Sequence, residues 1–266
     1  THHAFDFEMV GISDTGIVRT HNEDAISYDA TLGLAILADG MGGCNAGEVA
    51  SQVVVEHVMH GLKLASVEST LNANTAAFNL LKLFAQVNQK VVEMAQAKEY
   101  EGMGTTVVAA VFLPTVVSYA HVGDSRLYRL RDGVLQSLTQ DHTVLQAQIN
   151  AGEISLKEAW AAPHRNLITD AIGVDGPIRQ DVGCQLIDPD DLYCLCSDGL
   201  NDMLTDDEIT LVLQTPELSL QDKAKTLIEL AKVAGGRDNV SVVLVRPLPK
   251  PPPLLRRVYS RFIARG

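Results

Sequence analysis

The chain has 266 residues, 46% of them hydrophobic, which is enough to bury a large core and favours one main domain over two. Its formal net charge of -12 argues against nucleic acid as a partner, because neutralising phosphates requires clustered Lys and Arg. No apolar run reaches the roughly 18 residues that a membrane span requires, and the first residues lack the charged-then-apolar order of a signal peptide. Together with four cysteines that form no Cys-x-x-Cys pair, these features predict a cytoplasmic protein.

Short apolar or alternating runs predict strands, and longer periodic stretches predict helices. The predicted strands are Phe7–Ser13, Leu34–Ala38, Thr105–Phe112, Val117–Val122, Arg126–Leu130, Leu192–Ser197 and Val240–Val245. The predicted helices are Ala46–Leu64, Leu71–Ala97, Asp206–Leu213 and Leu220–Ala234. The Asp-Gly pair in "RLYRLRDGVLQSL" predicts a hairpin turn between two of the strand runs. Because the helices come in pairs between groups of strands, the order favours an α+β fold with antiparallel sheets covered by helix pairs over a doubly wound parallel sheet.

Two segments depart from this pattern. Residues 141–173 are polar around one short predicted helix, which is typical of an insertion near a working face. After residue 246, "PLPKPPP" predicts a stiff polyproline-like spacer, and "LLRRVYSRFIARG" is a basic amphipathic segment. We therefore divide the chain into a main domain, 1–246, and a Pro-rich linker with a basic tail, 247–266. The tail is expected to contact a partner or an anionic membrane, and a frayed end is an equal alternative.

Acidic residues stand where several predicted strands begin or end, often beside a glycine. The positions are Asp39-Gly40 in "LADGMGG", Asp124 in "HVGDSR", Asp198-Gly199 in "CSDGLND", Asp238 in "GGRDNV", and Glu23 and Asp24 in "HNEDAISY". Taken singly, each is equally well explained as a turn residue or a helix cap. If the strand ends meet, the carboxylates repel one another and raise one another's pKa values, and a multivalent cation resolves the conflict.

The candidate ligands are oxygens, which select Mg²⁺ or Mn²⁺. His21, His121 and His142 lack the paired spacing of a zinc site, and no segment has the spaced acidic loop of an EF-hand. Two such ions about 3.5–4 Å apart can activate a water and clamp a phosphoryl group. Arg19, in "RTHNED", is expected at the same end of the sheet and is suited to hold phosphate oxygens. Taken alone, an ion pair with a neighbouring carboxylate explains Arg19 more simply.

A set of motifs stands in a known order along the chain. They are "RTHNED", "ADGMGG", "GMGTT", "HVGDSRLYRLRDG", "TQDHT", "CSDGL" and "GGRDNVSVV". In combination they resemble the metal-dependent PPM-type (type 2C) Ser/Thr protein phosphatases, particularly the bacterial ones, from about Phe7 to Val245. The resemblance implies an α-β-β-α sandwich of two antiparallel sheets flanked by helix pairs, with metals in a cleft at one edge. It also identifies residues 1–246 as the catalytic domain.

The resemblance implies roles for the residues around two core metals. Asp39 would bridge the two ions, and Gly40 would give its backbone carbonyl. Asp198 and Asp238 would bind one of the core ions. Arg19 would bind the substrate phosphate.

Outer positions receive roles in the same way. Glu23 and Asp24 would hold metal-bound waters in the first or second coordination layer. Asp124, together with Asp198, would bind the more weakly held third metal of bacterial members. Asn239, beside a core ligand, would orient its loop.

The general acid and the flap are less clearly implied. Some members carry a histidine after the Asp-Gly that is proposed to protonate the leaving group, whereas Met41 stands here, as is common in bacterial members. Methionine cannot donate a proton, so the role would pass to a metal-bound water or another residue, or be dispensable. The segment 141–173 corresponds to the flap, which in the family affects substrate choice and third-metal binding. His142 and His164 on it are candidate acids, although a structural role explains either one better.

These motifs predict an enzyme that hydrolyses phosphoserine and phosphothreonine on proteins and opposes a bacterial Ser/Thr kinase. A hydroxide bridging two Mn²⁺ or Mg²⁺ ions would attack phosphorus directly, without a covalent intermediate. The expected partners are phosphorylated proteins, including the kinase and its substrates, and a monomer is expected. The alternative is a catalytically silent phosphopeptide-binding regulatory domain, whose mark would be a lost metal aspartate; here every position is filled. A phosphatase acting on one anti-sigma antagonist shares the fold, but Arg19 and "GMGTT" favour the general type.

Overall fold

The computed structural model describes residues 5–42, 46–68, 71–154 and 167–250. The end of the predicted Pro-rich linker and the predicted basic tail, residues 251–266, lie outside these ranges. The strands are β1 (Phe5–Asp14), β2 (Asp24–Asp29), β3 (Leu34–Met41), β4 (Gly104–Thr105), β5 (Val107–Phe112), β6 (Val116–Val122), β7 (Arg126–Arg131), β8 (Val134–Ser137), β9 (Asp181–Leu186), β10 (Leu192–Cys196) and β11 (Val240–Pro249). The helices are α1 (Ala46–Glu68), α2 (Ala73–Met94), α3 (Val144–Asn150), α4 (Asp198–Asn201), α5 (Asp206–Gln214) and α6 (Leu220–Val233), with a 3₁₀ turn at Lys98–Tyr100. Within the described ranges, no helix is both long and apolar enough to cross a membrane.

The strands form two antiparallel sheets that pack face to face. One sheet has the order β1-β11-β10-β7-β8, and the other has the order β2-β3-β5-β6-β9, with β4 paired to β3. Buried apolar side chains form three layers: between α1–α2 and the β3 sheet, between the two sheets, and between the β10 sheet and α4–α6. This arrangement confirms the predicted α+β fold and its α-β-β-α sandwich.

Alternation along the strands assigns each side chain to a layer. In β10, Cys194 and Cys196 face the helices, whereas Tyr193 and Leu195 face the other sheet. These two cysteines are therefore buried thiols on one face of the strand. The predicted hairpin is also present between β7 and β8, because Asp132 and Gly133 have φ values of 49° and 78°, as a two-residue Asp-Gly turn requires.

Helix starts follow the capping residues of the sequence. Asn72 and Thr75 form a capping box at α2, and Thr205 and Glu208 form another at α5. At α6, the Ser219 side chain accepts a hydrogen bond from the backbone of the first turn. Each cap satisfies backbone N–H groups that the first turn leaves unpaired, which is why the predicted and observed helix starts agree within a few residues.

Several strands differ from the prediction in ways that shape the site. β3 continues through Asp39 to Met41, because its last two residues pair with β4. The predicted strand Thr105–Phe112 is interrupted at Thr106, which separates β4 from β5. The sequence pattern misses β9, an edge strand with mostly exposed side chains. At the other end, β11 pairs with β1 as far as Pro249, so the strand enters the segment predicted as a linker.

Candidate functional site

The strand register places two of the predicted carboxylates side by side. Asp24 on β2 is paired directly with Asp39 on β3. Asp39 continues the alternation of Ala35 and Leu37, so its side chain lies on the face between the two sheets. Asp24 is buried, and Ile26 two residues later packs against the same inter-sheet layer. Two carboxylates therefore meet across neighbouring strands where this apolar layer ends.

The "GMGTT" motif holds the backbone of Asp39. The Asp39 N–H donates to Thr106 Oγ1 at 3.1 Å, and the Asp39 carbonyl accepts from Thr105 Oγ1 at 2.8 Å and from the Thr106 N–H at 2.9 Å. The Gly40 N–H donates to the Glu23 carbonyl at 3.0 Å. A Cβ on Gly40 would lie 2.6 Å from that same carbonyl oxygen, so the close approach requires glycine. The two threonines of the motif, Thr105 and Thr106, thus fix the backbone of Asp39 and add no charge to the site.

Asp198 is the first residue of α4, directly after β10, with Ser197 at the N-cap position. A Cβ on Gly199 would overlap the carbonyl oxygen of Asn239, so the glycine lets the two loops touch. One turn later the Asp202 N–H donates to the Asp198 carbonyl at 2.8 Å. Oδ1 of Asp198 is buried and has no hydrogen-bond partner among the described residues.

Asn239 joins the loop before β11 to the loop between β1 and β2. Its Nδ2 donates to the Thr15 carbonyl at 2.9 Å and to the His21 carbonyl at 2.8 Å, and its Oδ1 accepts from the Glu23 N–H at 2.8 Å. Its own N–H donates to Asp238 Oδ1 at 2.8 Å. The buried amide therefore orients both the loop of Asp238 and the loop of Glu23.

Arg19 lies at the rim of this cluster. Its Nη2 donates to Asp238 Oδ2 at 2.8 Å, so the ion pair that was the simpler expectation is present. The two side chains are 48% and 36% exposed, and an ion pair that open to water contributes little to stability. Burial raises the pKa of nearby Glu23, and the charge of Arg19 opposes that rise. The guanidinium is thus accessible from solvent at the mouth of an acidic site.

Asp24 links the two sheets through hydroxyl groups. Its Oδ2 accepts from Ser197 Oγ at 2.7 Å and from Ser241 Oγ at 2.6 Å. Its Oδ1 is buried and has no hydrogen-bond partner among the described residues. One oxygen therefore holds the sheets in register, and the other is available to a bound group.

Asp124 follows β6 after a turn through Gly123, which has a φ of +101°. The side chain of Asp124 is buried. Burial, and after it the charge of Asp141, raises the pKa of Asp124 to about 7. Asp141 is itself held by Arg126 through two hydrogen bonds of 2.8 and 2.7 Å.

Burial and mutual repulsion raise the pKa values across the cluster. For Asp39, burial raises the pKa well above its usual range, and the neighbouring charges of Asp24 and Asp198 add to the effect. For Asp198, burial acts in the same direction, followed by the charges of Asp124 and Asp202. For Asp24, burial raises the pKa to about 6 although its two hydroxyl partners oppose the rise. Each carboxylate thus makes its neighbours harder to ionise.

These features fit a bound multivalent cation. The donors are carboxylate and carbonyl oxygens, the type that Mg²⁺ and Mn²⁺ prefer. The unpaired buried oxygens of Asp24 and Asp198 would otherwise carry the full cost of desolvation. A cation would lower every raised pKa of the cluster at once and give these oxygens a partner.

The structure adds two acidic residues that the sequence pattern misses. Asp202 acts on the pKa of both Asp198 and Asp124, and its position four residues after Asp198, one helical turn, was the available signal. Asp141 is the largest charged influence on Asp124. Asp141 stands in the motif "TQDHT", but that motif gave it no role, because its partner Arg126 and its neighbour Asp124 lie on different elements.

A separate group forms beside the flap base. Among the described residues, His121, His142 and Asp181 are a set of potential ligands whose donor atoms all lie within 4.8 Å of one another. Spacing along the chain could not show this, because β6, the flap base and β9 bring distant residues together. His164, the other predicted candidate acid, lies outside the described residues.

Comparison with known proteins identifies the family. The family model for protein phosphatase 2C matches residues 17–233. A putative protein phosphatase 2C-type of Streptococcus pyogenes serotype M6 is 36% identical over 88% of this chain and 94% of its own. The crystal structure of the Mycobacterium tuberculosis serine/threonine phosphatase PstP/Ppp superposes with a TM-score of 0.82 at 37% identity, covering 90% of this chain and 98% of that one. The catalytic domain of PstP in complex with two manganese ions gives a TM-score of 0.81 at 35% identity, covering 92% and 99%. The chain therefore belongs to the protein phosphatase 2C family and is a protein phosphatase.

Proposed function

We propose that the protein hydrolyses phosphoserine and phosphothreonine on proteins with the help of divalent cations, and that it opposes a Ser/Thr kinase. The observation that carries this proposal is the cluster of carboxylates with raised pKa values at the end of the inter-sheet layer, with an exposed arginine at its rim. Relatives of known name support the Ser and Thr specificity, since PstP/Ppp is a serine/threonine phosphatase.

The carboxylates would divide the work of holding the cations. When bound, Mn²⁺ or Mg²⁺ lowers the pKa of water to give a nucleophile and neutralises charge on the phosphoryl group. Asp39, whose backbone is fixed between the sheets by three hydrogen bonds, would help to hold both ions, and Gly40 would offer its backbone carbonyl. Asp198 and Asp238 would hold one of these ions from the opposite sheet. Asp124 and Asp198 would hold a third, weaker ion.

Arg19 would bind the phosphate of the substrate. A guanidinium can donate two parallel hydrogen bonds to phosphate oxygens and remains charged at any working pH. Its present partner, Asp238, is a proposed ligand, so a cation on Asp238 would weaken the ion pair and release Arg19 toward the substrate. Glu23 and Asp24 would position water around the ions.

The cluster favours this activity over a silent phosphopeptide-binding domain. A domain that only binds phosphopeptides needs no buried carboxylates with raised pKa values. Burying these carboxylates lowers the stability of the fold, and bound cations would offset that loss. Met41 contacts β4 through its backbone and offers no proton donor, so the leaving alkoxide must take its proton from water or from another residue. We also propose that 1–246 is sufficient for activity, that the protein works as a cytoplasmic monomer, and that its substrates include the kinase.

The test is hydrolysis of para-nitrophenyl phosphate with Mn²⁺, Mg²⁺ or EDTA by wild type, Asp39→Asn and Asp198→Asn. Asp29→Asn is the matched control, because Asp29 lies on β2 but pairs with Lys63 outside the cluster. Metal-dependent turnover that falls by orders of magnitude in the two site variants but not in the control is expected. Peptides carrying phosphoserine, phosphothreonine or phosphotyrosine then test specificity. No turnover with either metal, and equal behaviour of all four proteins, would contradict the proposal.

A further inference from the structure

His142 holds Gly123 from two sides. The backbone N–H of His142 donates to the Gly123 carbonyl at 3.0 Å, and Nδ1 of its ring accepts from the Gly123 N–H at 3.2 Å. The other ring nitrogen, Nε2, lies 3.2 Å from Asp181 Oδ2. The residue is 1% exposed, and its ring packs against that of His121 with centroids 4.5 Å apart and the ring planes tilted by 36°. Both ring nitrogens of this buried side chain therefore have a hydrogen-bond partner.

The partners decide where the ring carries its proton. An amide N–H can only donate, so Nδ1 of His142 must accept from Gly123 and bears no proton. The proton of the neutral ring is then on Nε2, where it is donated to the Asp181 carboxylate. Arg179 also binds Asp181, at 2.8 Å. Burial raises the pKa of Asp181, but hydrogen bonds from Arg179 and His142 outweigh it and lower that pKa overall, so the acceptor is an anion.

This clamp sits immediately before a proposed metal ligand. Gly123 is in the left-handed region, at a φ of +101°, and its amide and carbonyl set the direction in which the chain presents Asp124. On the other side of Asp124, Arg126 is gripped by Asp141 through two hydrogen bonds. The adjacent residues Asp141 and His142 therefore fix the chain on both sides of Asp124.

The same residue ties down the described end of the flap. The Thr169 N–H donates to the His142 carbonyl at 2.8 Å, and Thr143 pairs with Ile168. The returning flap segment is thus attached to the residue that clamps Gly123. A shift of the flap base would move the backbone that carries Asp124.

A metal ion held by His121, His142 and Asp181 is the competing explanation, because their donor atoms converge. Binding through Nε2 of His142 would force the proton onto Nδ1, which would then face the Gly123 N–H, donor against donor. The hydrogen bonds therefore oppose a metal at this ring and favour an orienting chain from Asp181 through His142 to Gly123.

We propose that His142, oriented by Asp181, is a positioning residue that holds Asp124 in the direction needed for the weakly bound third cation and couples that site to the flap. The inference rests on the proposed function in one respect, namely that Asp124 is a cation ligand. The positioning itself can be measured without any cation.

Two substitutions at one position separate hydrogen bonding from packing. His142→Phe keeps a ring of similar size against His121 but cannot accept from Gly123. His142→Asn places an amide oxygen close to the position of Nδ1. This variant should restore the hydrogen bond from the Gly123 N–H but lose the hydrogen bond to Asp181. Asp181→Asn leaves His142 in place but removes the charge that orients it. Urea unfolding of all three checks that each is folded.

The readouts are amide hydrogen exchange at Gly123 in EDTA, calorimetric titration with Mn²⁺, and the Mn²⁺ dependence of phosphopeptide hydrolysis. In His142→Phe we expect at least about tenfold faster exchange at Gly123, which corresponds to about 1.4 kcal/mol, and about tenfold weaker binding in the weakest Mn²⁺ step, with the tighter steps unchanged. His142→Asn should bring both the Gly123 exchange rate and the weakest Mn²⁺ binding step most of the way back to the wild-type values. Asp181→Asn should fall between wild type and His142→Phe.

Nitrogen chemical shifts of the wild-type His142 ring provide a test that needs no variant to fold. A protonated Nε2 and bare Nδ1 support the proposal, whereas the opposite tautomer, or stoichiometric Zn²⁺ binding at this ring, overturns it. Unchanged exchange and unchanged Mn²⁺ binding in His142→Phe overturn it as well. If wild type shows no metal-dependent hydrolysis while Gly123 exchange responds as expected, the proposed function fails and the positioning role stands.

Discussion

Asp39→Asn should make the metal-free protein more stable while abolishing its response to metal. The substitution removes one charge from the centre of a cluster and keeps the shape of the side chain. Asp39 faces Asp24 across paired strands, and burial together with neighbouring charges raises its pKa well above the usual range. An amide at this position needs no cation and can still hydrogen-bond to the neighbouring carboxylate.

The magnitude follows from the register. Paired residues on one sheet face have Cβ atoms about 5 Å apart, and two unit charges at that distance repel by about 3 kcal/mol at an effective dielectric constant of about 20. Proton uptake already relieves part of this repulsion, so a gain of about 2 kcal/mol in the free energy of unfolding is expected in EDTA. For a domain of this size, that gain raises Tm by about 4–8 °C.

The assay is thermal unfolding at neutral pH in EDTA and in saturating Mn²⁺, alongside phosphatase activity. Asp29→Asn serves as the control, because Asp29 lies on β2 and pairs with Lys63 of α1 at 2.9 Å, outside the cluster. Its substitution breaks that ion pair and should lower Tm or leave it unchanged in both conditions. Wild type should gain stability from Mn²⁺ and Asp39→Asn should not. An Asp39→Asn protein that is less stable than wild type in EDTA and still stabilised by Mn²⁺ would refute the reasoning.

Further predictions concern pH and two side chains. Asp24 and Asp124 have pKa values of about 6 and about 7 in the folded protein, above the value of about 3.9 expected when unfolded. The folded state therefore binds more protons, and Tm in EDTA should fall as pH rises from about 4 to about 7, with the stabilisation by Mn²⁺ growing over the same range; a Tm that rises with pH would contradict this. Asn239→Ala should cost about 2–3 kcal/mol in urea unfolding, because three backbone groups lose their partner. Asn239→Asp would put a charged oxygen against the Thr15 and His21 carbonyls and add a charge to the acidic cluster, so it should cost at least as much as Asn239→Ala, and a clearly smaller loss would count against the argument. Arg19→Ala should raise KM about tenfold or more for a phosphopeptide yet change stability by less than about 0.5 kcal/mol, and an unchanged KM would remove Arg19 from phosphate binding.

Much of this site is readable from the sequence because each carboxylate stands at a strand end. Asp39 and Asp198 follow continuous apolar runs that predict strands buried on both faces. The motifs also give the order of the elements and, through the family they resemble, the topology. What the sequence cannot give is the set of partners from distant elements. The link between Asp24 and Ser241 spans both sheets, and the convergence of His142 with Asp181 depends on β9, an exposed edge strand without a strong pattern.

The position of the acidic cluster explains why stability and activity are joined in this fold. A leucine at position 39 would continue the layer of Ala35 and Leu37 and would bury apolar area, whereas Asp39 ends that layer with a charge. The repulsion it introduces, about 3 kcal/mol per close neighbour, is similar in size to the stabilisation of about 2.7 kcal/mol that a ligand supplies at one hundred times its Kd. Cations at a free concentration of about one hundred times their Kd can therefore offset the repulsion of one close pair, and without them the same carboxylates must take up protons. The stability of the domain should consequently report on occupation of the site by cations, so metal-dependent unfolding measures cation binding by the acidic cluster.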